Sequence, residues 1–255
     1  MKFLLPLQRR FRRLFHHFLP TSCLLCGCNL GTDLLCHACE LTLPHIENQN
    51  HACQQCALPL AVHADFCGQC LHKPPAFSRS VIPFIYQHPI DFLIHNFKYR
   101  RKLSHGRALA QLLADKINHD QQEHPDTRPD LLLTVPLHWS RRWQRGFNQT
   151  EIIGRELATQ LQIPLLTRAC RRRAATPSQK GLSRAQRQSN LRCAFEIAKS
   201  SQKYIEGKRV ALLDDVVTTT ATARELSKLL VKHGAADVQI WALARTPNHD
   251  LRNQP

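Results

Sequence analysis

Apolar positions fall into two rhythms along this chain. Short unbroken apolar runs at 131–135 (LLLTV), 210–213 (VALL) and 238–243 (VQIWAL) read as buried strands, because a strand covered on both faces needs no polar alternation. Pro136 ends the first of them. Elsewhere the spacing is helical: over 90–97, over 105–117 through Leu109, Leu112, Leu113 and Ile117, over 150–161, and over 221–233, where Gly234 takes the position that closes a helix. The run 81–86 (VIPFIY) contains a proline, which places it at a sheet edge or in a flap strand. The polar stretch 120–129 is expected as a loop. Strands alternating with helices of about a dozen residues imply βαβ units and a parallel sheet with both faces covered. Ligands of such sheets sit at the carboxyl ends of the strands.

Residues 1–20 carry Leu4, Leu7, Phe11, Leu14, Phe15 and Phe18 at helical spacing with Arg9, Arg10, Arg12 and Arg13 between them. This is a basic amphipathic helix, and both docking on its own protein and lying on an anionic membrane face are open to it. The arginines interrupt what would be the uncharged core of a signal peptide, and no apolar run reaches the ~18–20 residues that span a bilayer. A cytoplasmic protein is expected.

A length of 255 residues suits one principal domain with a small appended module, and 43% hydrophobic with 21% charged residues suits a globular chain. The 35 Lys and Arg against 19 Asp and Glu leave a net charge of +16, a field that favours polyanions and phosphorylated ligands. Between Arg141 and Arg192 twelve basic residues face only Glu151 and Glu156, a net of +10.

Nine of the eleven cysteines lie between Cys23 and Cys70. Eight form C-x-x-C knuckles: Cys23/Cys26, Cys36/Cys39, Cys53/Cys56 and Cys67/Cys70. In a reducing compartment paired knuckles point to tetrahedral thiolate sites rather than disulfides. Nine residues separate the first two knuckles and ten the last two, so neighbouring knuckles can close two zinc sites, although spacing leaves a cross-braced pairing open. Four protein thiolates fill the shell of each ion, which makes the sites structural. Cys28, Cys170 and Cys193 fall outside the pattern and read as small packing residues. Lys73-Pro74-Pro75 is a stiff connector behind the module.

At the carboxyl end of the VALL run stand Asp214 and Asp215, then Val216, Val217, Thr218, Thr219, Thr220, Ala221 and Thr222 at the entry to a helix. Adjacent carboxylates can accept hydrogen bonds from a vicinal diol or help to hold Mg²⁺, and a helix entry offers free N–H groups to an anion. The same residues also suit a second reading, in which the acids are satisfied turn residues and a threonine caps the helix. No G-x-x-x-x-G-K motif is present, which disfavours nucleoside triphosphate hydrolysis.

VALLDDVVTTTAT resembles the signature of type I phosphoribosyltransferases. Val135-Pro136-Leu137 followed by Arg141, Arg142, Trp143, Gln144, Arg145, Gly146, Phe147, Asn148 and Gln149 resembles the VPL…R…RGFNQ segment of the ComF family, which includes the GntX-type DNA-utilisation proteins. HNFKYRR at 95–101, RQSNLRCAF at 187–195 and the knuckled front end are similar to that family as well. The resemblance implies an α/β chain with the type I phosphoribosyltransferase fold, a parallel sheet flanked by helices, behind a small N-terminal Cys-rich double zinc ribbon. The expected division is 1–20 as the basic segment, 21–75 as the ribbons, 76–246 as the phosphoribosyltransferase-like domain and 247–255 as a tail.

By the same resemblance, Asp214 and Asp215 hold the ribose hydroxyls of phosphoribosyl pyrophosphate with Mg²⁺, and Thr218, Thr219, Thr220, Ala221 and Thr222 cradle its 5′-phosphate. Arg141, Arg142, Arg145 and Lys98 face pyrophosphate or DNA phosphates. The family implies a role in natural transformation or use of external DNA, with single-stranded DNA and uptake machinery at the inner membrane face as partners. Two functions stay open, a phosphoribosyltransferase of unassigned acceptor and a non-catalytic single-stranded-DNA adaptor. One departure stands out: the signature has glycine where this chain has Thr220. If the loop keeps a left-handed backbone there, threonine costs about 1–3 kcal/mol of strain, and either binding weakens or the loop is remodelled.

Overall fold

The computed structural model describes residues 21–46, 51–136, 148–172 and 194–247. The Cys-rich part holds two very short strands, β1 (Thr21–Ser22) and β2 (Asn29–Leu30), paired antiparallel, and two single-turn helices, α1 (His37–Leu41) and α2 (Gly68–His72). Then follow β3 (Arg79–Val81), β4 (Phe84–Ile85), α3 (Ile90–Arg100), α4 (Leu103–Glu123), β5 (Leu131–Thr134), α5 (Gln149–Leu161) and β6 (Leu165–Leu166). The chain continues through β7 (Cys170–Arg172), β8 (Phe195–Ile197), α6 (Gln202–Ile205), β9 (Arg209–Val217), α7 (Ala221–Lys232) and β10 (Asp237–Arg245).

The main sheet runs β3-β10-β9-β5-β6, with β4 also pairing β10, and every pairing in it is parallel. The apolar runs account for this. Along β9, Val210 and Leu212 enter one buried cluster with Leu226 and Leu230 of α7, while Ala211 and Leu213 enter another with Leu93 and Phe97 of α3, Leu109 and Leu113 of α4 and Leu157 of α5. Successive side chains from Val210 to Leu213 therefore meet helices on opposite faces, and this stretch leaves no position for water. Gly234 has φ +88°, the left-handed conformation that closes α7. The expected parallel sheet flanked by helices, behind an N-terminal Cys-rich ribbon region, is the architecture observed.

Two expectations need correction. The 120–129 loop begins only at His124, because α4 runs on to Glu123. Asp120 is buried and forms an ion pair with Arg79 of β3, whose guanidinium also donates to Thr127 Oγ1 at 2.9 Å. A polar residue with so distant a partner extends the helix instead of ending it. The 81–86 run lies at a sheet edge but is broken at Ile82 and Pro83 into β3 and β4. Its outer side is covered: Ile46 N–H donates to Pro83 O and Ile85 N–H to Pro44 O, both at 2.8 Å. The chain leaving the first knuckle pair thus shields the edge that a proline-bearing strand would otherwise expose. Among the described residues no helix is long and apolar enough to cross a membrane.

Candidate functional site

Strand β9 extends beyond the VALL run and carries Asp214 and Asp215 in its carboxyl-terminal half, both half-buried. Asp214 Oδ1 accepts the Asp215 N–H at 2.8 Å, which fixes that carboxylate against the backbone. Lys98, in the last turn of α3, places Nζ 2.8 Å from Asp215 Oδ2, with side-chain exposures of 12% and 15%. Burial first, and then the charges of Asp91, Tyr99 and Asp215, push the Tyr86 phenol above its ordinary value. The strand tip is therefore a partly desolvated place where two carboxylates, an ammonium and a phenol share one field.

Behind the acids the chain turns through Thr218 and Thr219, both exposed, to Thr220, which is buried. Thr220 has φ +58° and ψ 0°, so the loop does keep the left-handed backbone usually given to glycine. Its side chain points inward: Oγ1 donates to Thr219 O at 2.6 Å and accepts from Arg224 Nε at 3.0 Å. Thr220 O accepts the Arg224 N–H at 2.8 Å and starts α7. The first N–H groups of a helix have no intrahelical acceptor, and here they belong to Ala221, Thr222 and Ala223, half-buried or buried next to the turn. With the positive end of the α7 dipole, the turn can accommodate an anion.

The structure brings Lys98, Asp214, Asp215 and residues 218–222 together at one end of the sheet. Arg141, Arg142 and Arg145, with Trp143 and Phe147, lie outside the described residues, as do the 1–20 segment and Cys193.

The thiols gather in two places. Cys53, Cys56, Cys67 and Cys70 are all buried with their sulfurs within 4.8 Å of one another. These four are a poor set without a cation. A hydrogen bond from Cys56 and nearby backbone donors pull Cys53 down to about 4, Cys56 is pushed up in turn by Cys53, and burial pushes Cys70 up to about 12. A divalent ion resolves that competition, and the donor set fits zinc. In the first group Cys23, Cys26, Cys28 and Cys36 lie within 4.8 Å of one another. Cys39, expected as a ligand, is not among those four, and the neighbouring Cys36 thiol pushes it up to about 12. Cys28 is thus not a packing residue: it is exposed and faces Cys26 and Cys36, because Cys23 N–H donates to Cys28 O at 2.8 Å and folds the turn back. Neighbouring knuckles, not crossed ones, share each site.

Two residues that sequence reasoning passed over tie these parts together. Arg224 and Arg245 are 8% and 3% exposed and donate both to the turn and to the second thiol group. The available signal was a single arginine on the otherwise buried stripe of α7 and another at the end of the apolar β10.

The sequence matches the family described as a double zinc ribbon domain over residues 14–71. A purine phosphoribosyltransferase from Pyrococcus horikoshii is similar at 17% identity over 54% of this chain and 83% of that one, with a TM-score of 0.35. Competence protein F of Haemophilus influenzae is 35% identical over 231 residues, 90% of this chain and 99% of that protein. DNA utilization protein YhgH of Escherichia coli is 36% identical over 230 residues, 89% of this chain and 98% of that protein. Similarity at that level, running from the knuckles through the acidic strand tip and spanning nearly the whole of both relatives, makes the chain a member of the ComF family of competence and DNA-utilization proteins.

Proposed function

We propose that the tip of β9 and the turn behind it bind the ribose 5-phosphate part of phosphoribosyl pyrophosphate, and that the protein serves DNA uptake or utilization in the cytoplasm, with single-stranded DNA as its polymeric partner. One observation carries this reading. Two half-buried carboxylates at the carboxyl end of a central parallel strand hand over directly to a turn at a helix N-terminus. The acids can accept from the 2- and 3-hydroxyls of a pentose, while the N–H groups of residues 218–222 meet its 5′-phosphate.

Loss of pyrophosphate from a ribosyl carbon places positive charge on the sugar and negative charge on the leaving group, so fixed charges supply the catalysis. Asp214 and Asp215 lie on the sugar side. Mg²⁺ bound with the substrate would offset charge on the pyrophosphate. Lys98 already neutralises part of the acid pair, so Asp214 and Asp215 would hold the ion weakly and act mainly on the hydroxyls. Arg141, Arg142 and Arg145 are assigned to the leaving group or to DNA phosphates, for which the planar guanidinium fork is suited. The net +16 charge and the basic 141–192 stretch support a polyanion partner, as do the names of the relatives, one a competence protein and the other a DNA utilization protein. In this reading 21–75 is the ribbon module, 76–246 the ligand-binding domain, and residues 1–20 provide peripheral contact with the inner membrane and its uptake machinery.

The Lys98–Asp215 pair favours a second reading, an adaptor that recognises the ligand without turnover, since a ribose hydroxyl must share Asp215 with an ammonium. Isothermal titration of phosphoribosyl pyrophosphate with Mg²⁺ into the wild type and into the Asp214→Ala, Asp215→Ala double variant tests the site. Binding to the wild type and its loss in the variant are expected, and equal binding to both would overturn the assignment. Pyrophosphate release with candidate bases then separates transferase from adaptor.

A further inference from the structure

We infer that Arg224 and Arg245 are positioning residues that join the second zinc site to the turn at 217–220, so that metal in the ribbon sets the ligand-ready shape of a turn more than a hundred residues away in sequence. The inference deepens the reading of that turn as a phosphate cradle and rests on it for its purpose, though not for its geometry.

Each guanidinium reaches both sides. Arg245 Nε donates to the carbonyl of the thiol residue Cys56 at 3.1 Å, and its Nη1 donates to Val217 O at 3.2 Å, to Thr218 O and to Thr246 O at 3.0 Å. Arg224 Nε donates to Thr220 Oγ1 at 3.0 Å, while its other nitrogens donate to Lys73 O and, at 3.5 Å, to Cys70 Sγ. The partners are carbonyls, a hydroxyl and a sulfur. Arginine stays protonated, and a buried guanidinium needs nearby negative charge. Four thiolates around one divalent ion carry a net charge of −2, the charge that two arginines offset. The side chains follow the same route, since Cys53, Cys56, Cys67, Cys70, Phe77, Val217 and Ala223 belong to one buried cluster.

The contacts also explain how the turn faces its ligand. A trans peptide points its C=O and N–H in opposite directions. Arg245 draws the carbonyls of Val217 and Thr218 toward the ribbon, so the N–H groups of Thr218 and Thr219 point away from it. Arg224 anchors Thr220 in its left-handed conformation at the start of α7. Without metal the thiol group loses its fixed charge and spacing, Cys56 O and Cys70 Sγ are no longer held in place, and both arginines lose one end of their bridge.

Hydrogen–deuterium exchange on the full chain tests this. Zinc content is measured alongside, and the exchange of α4 serves as the control for global folding. The Arg224 and Thr246 amides, which donate to Thr220 O at 2.8 Å and to Val217 O at 3.0 Å, report on the turn. Cys70→Ser, which disables the second site, should speed their exchange by about tenfold or more, within the 5–150-fold span of ordinary site-to-site coupling. Cys36→Ser, which disables the first site, should leave both amides unchanged. Arg245→Met should reproduce the Cys70→Ser effect with both zinc ions retained, and Arg245→Lys should restore part of the protection. This second route keeps the test valid if Cys70→Ser fails to fold. Exchange at the Arg224 and Thr246 amides that ignores Arg245→Met, or that responds equally to loss of either zinc, would overturn the inference. If the coupling is found but phosphoribosyl pyrophosphate fails to bind the wild type, the clamp stands and the ligand assignment alone falls.

Discussion

Replacing Thr220 tests the backbone of the turn through a reversal of sign. At φ +58° an L-residue pays about 1–2 kcal/mol for the left-handed region, and glycine pays nothing for it. Both Thr220→Ala and Thr220→Gly delete the hydrogen bond from Arg224 Nε at 3.0 Å, worth about 1.5–3 kcal/mol when one partner is charged and buried. That loss cancels when the two variants are compared with each other. What remains is relief of strain in glycine, less its greater chain entropy of about 0.5–1 kcal/mol. The glycine variant should therefore be more stable than the alanine variant by about 1 kcal/mol, or about 2–4 °C in melting temperature for a protein of this size. At an ordinary helical or extended position the order is the opposite, with alanine ahead by about 0.5–1 kcal/mol. Thermal and urea unfolding in zinc-saturated buffer measure the difference. An alanine variant as stable as the glycine variant, or more so, would refute the left-handed turn.

Further expectations follow from other contacts. Lys98→Met should destabilise the protein by about 1–3 kcal/mol by leaving Asp215 without its charged donor, and adding Asp215→Asn should recover part of that loss in a double-mutant cycle; additive losses would show that the pair is not coupled. Burial, with the Lys102 charge adding to it, holds His105 below its ordinary value of 6.5. The folded state then binds that proton less readily than the unfolded one, so stability is full above about 6.5 and falls as pH drops toward the folded value. His105→Gln should flatten this part of the urea-midpoint profile, and parallel profiles for the two proteins would contradict it. Affinity for single-stranded DNA should fall steeply with added salt as condensed counterions are released, and a flat response would remove the polyanion assignment.

Much of this was readable from the sequence because it depends on neighbours in the chain. The VALL run, the acids after it, the threonine turn, the helix closed by Gly234 and the second pair of cysteine knuckles are all local patterns, and each lies where its spacing implied. The features that were not readable depend on partners far away. Asp120 lengthens α4 because Arg79 meets it from another strand. Cys28 joins a thiol group through a turn whose fold no spacing rule distinguishes from a packing role. Arg224 and Arg245 look like ordinary cations until the ribbon is docked beneath them, when their donors find Cys70, Lys73 and Cys56. Thr220 lies between these cases. The missing glycine was visible, but the inward hydroxyl that holds the strained backbone to Arg224 is a tertiary fact.

A crystal structure of the zinc-loaded protein with phosphoribosyl pyrophosphate and Mg²⁺ tests the ligand site at the tip of β9. In that complex the 5′-phosphate should lie against the N–H groups of residues 218–222, with the ribose hydroxyls on Asp214 and Asp215. Ligand bound elsewhere on the chain while that turn faces only solvent would contradict it.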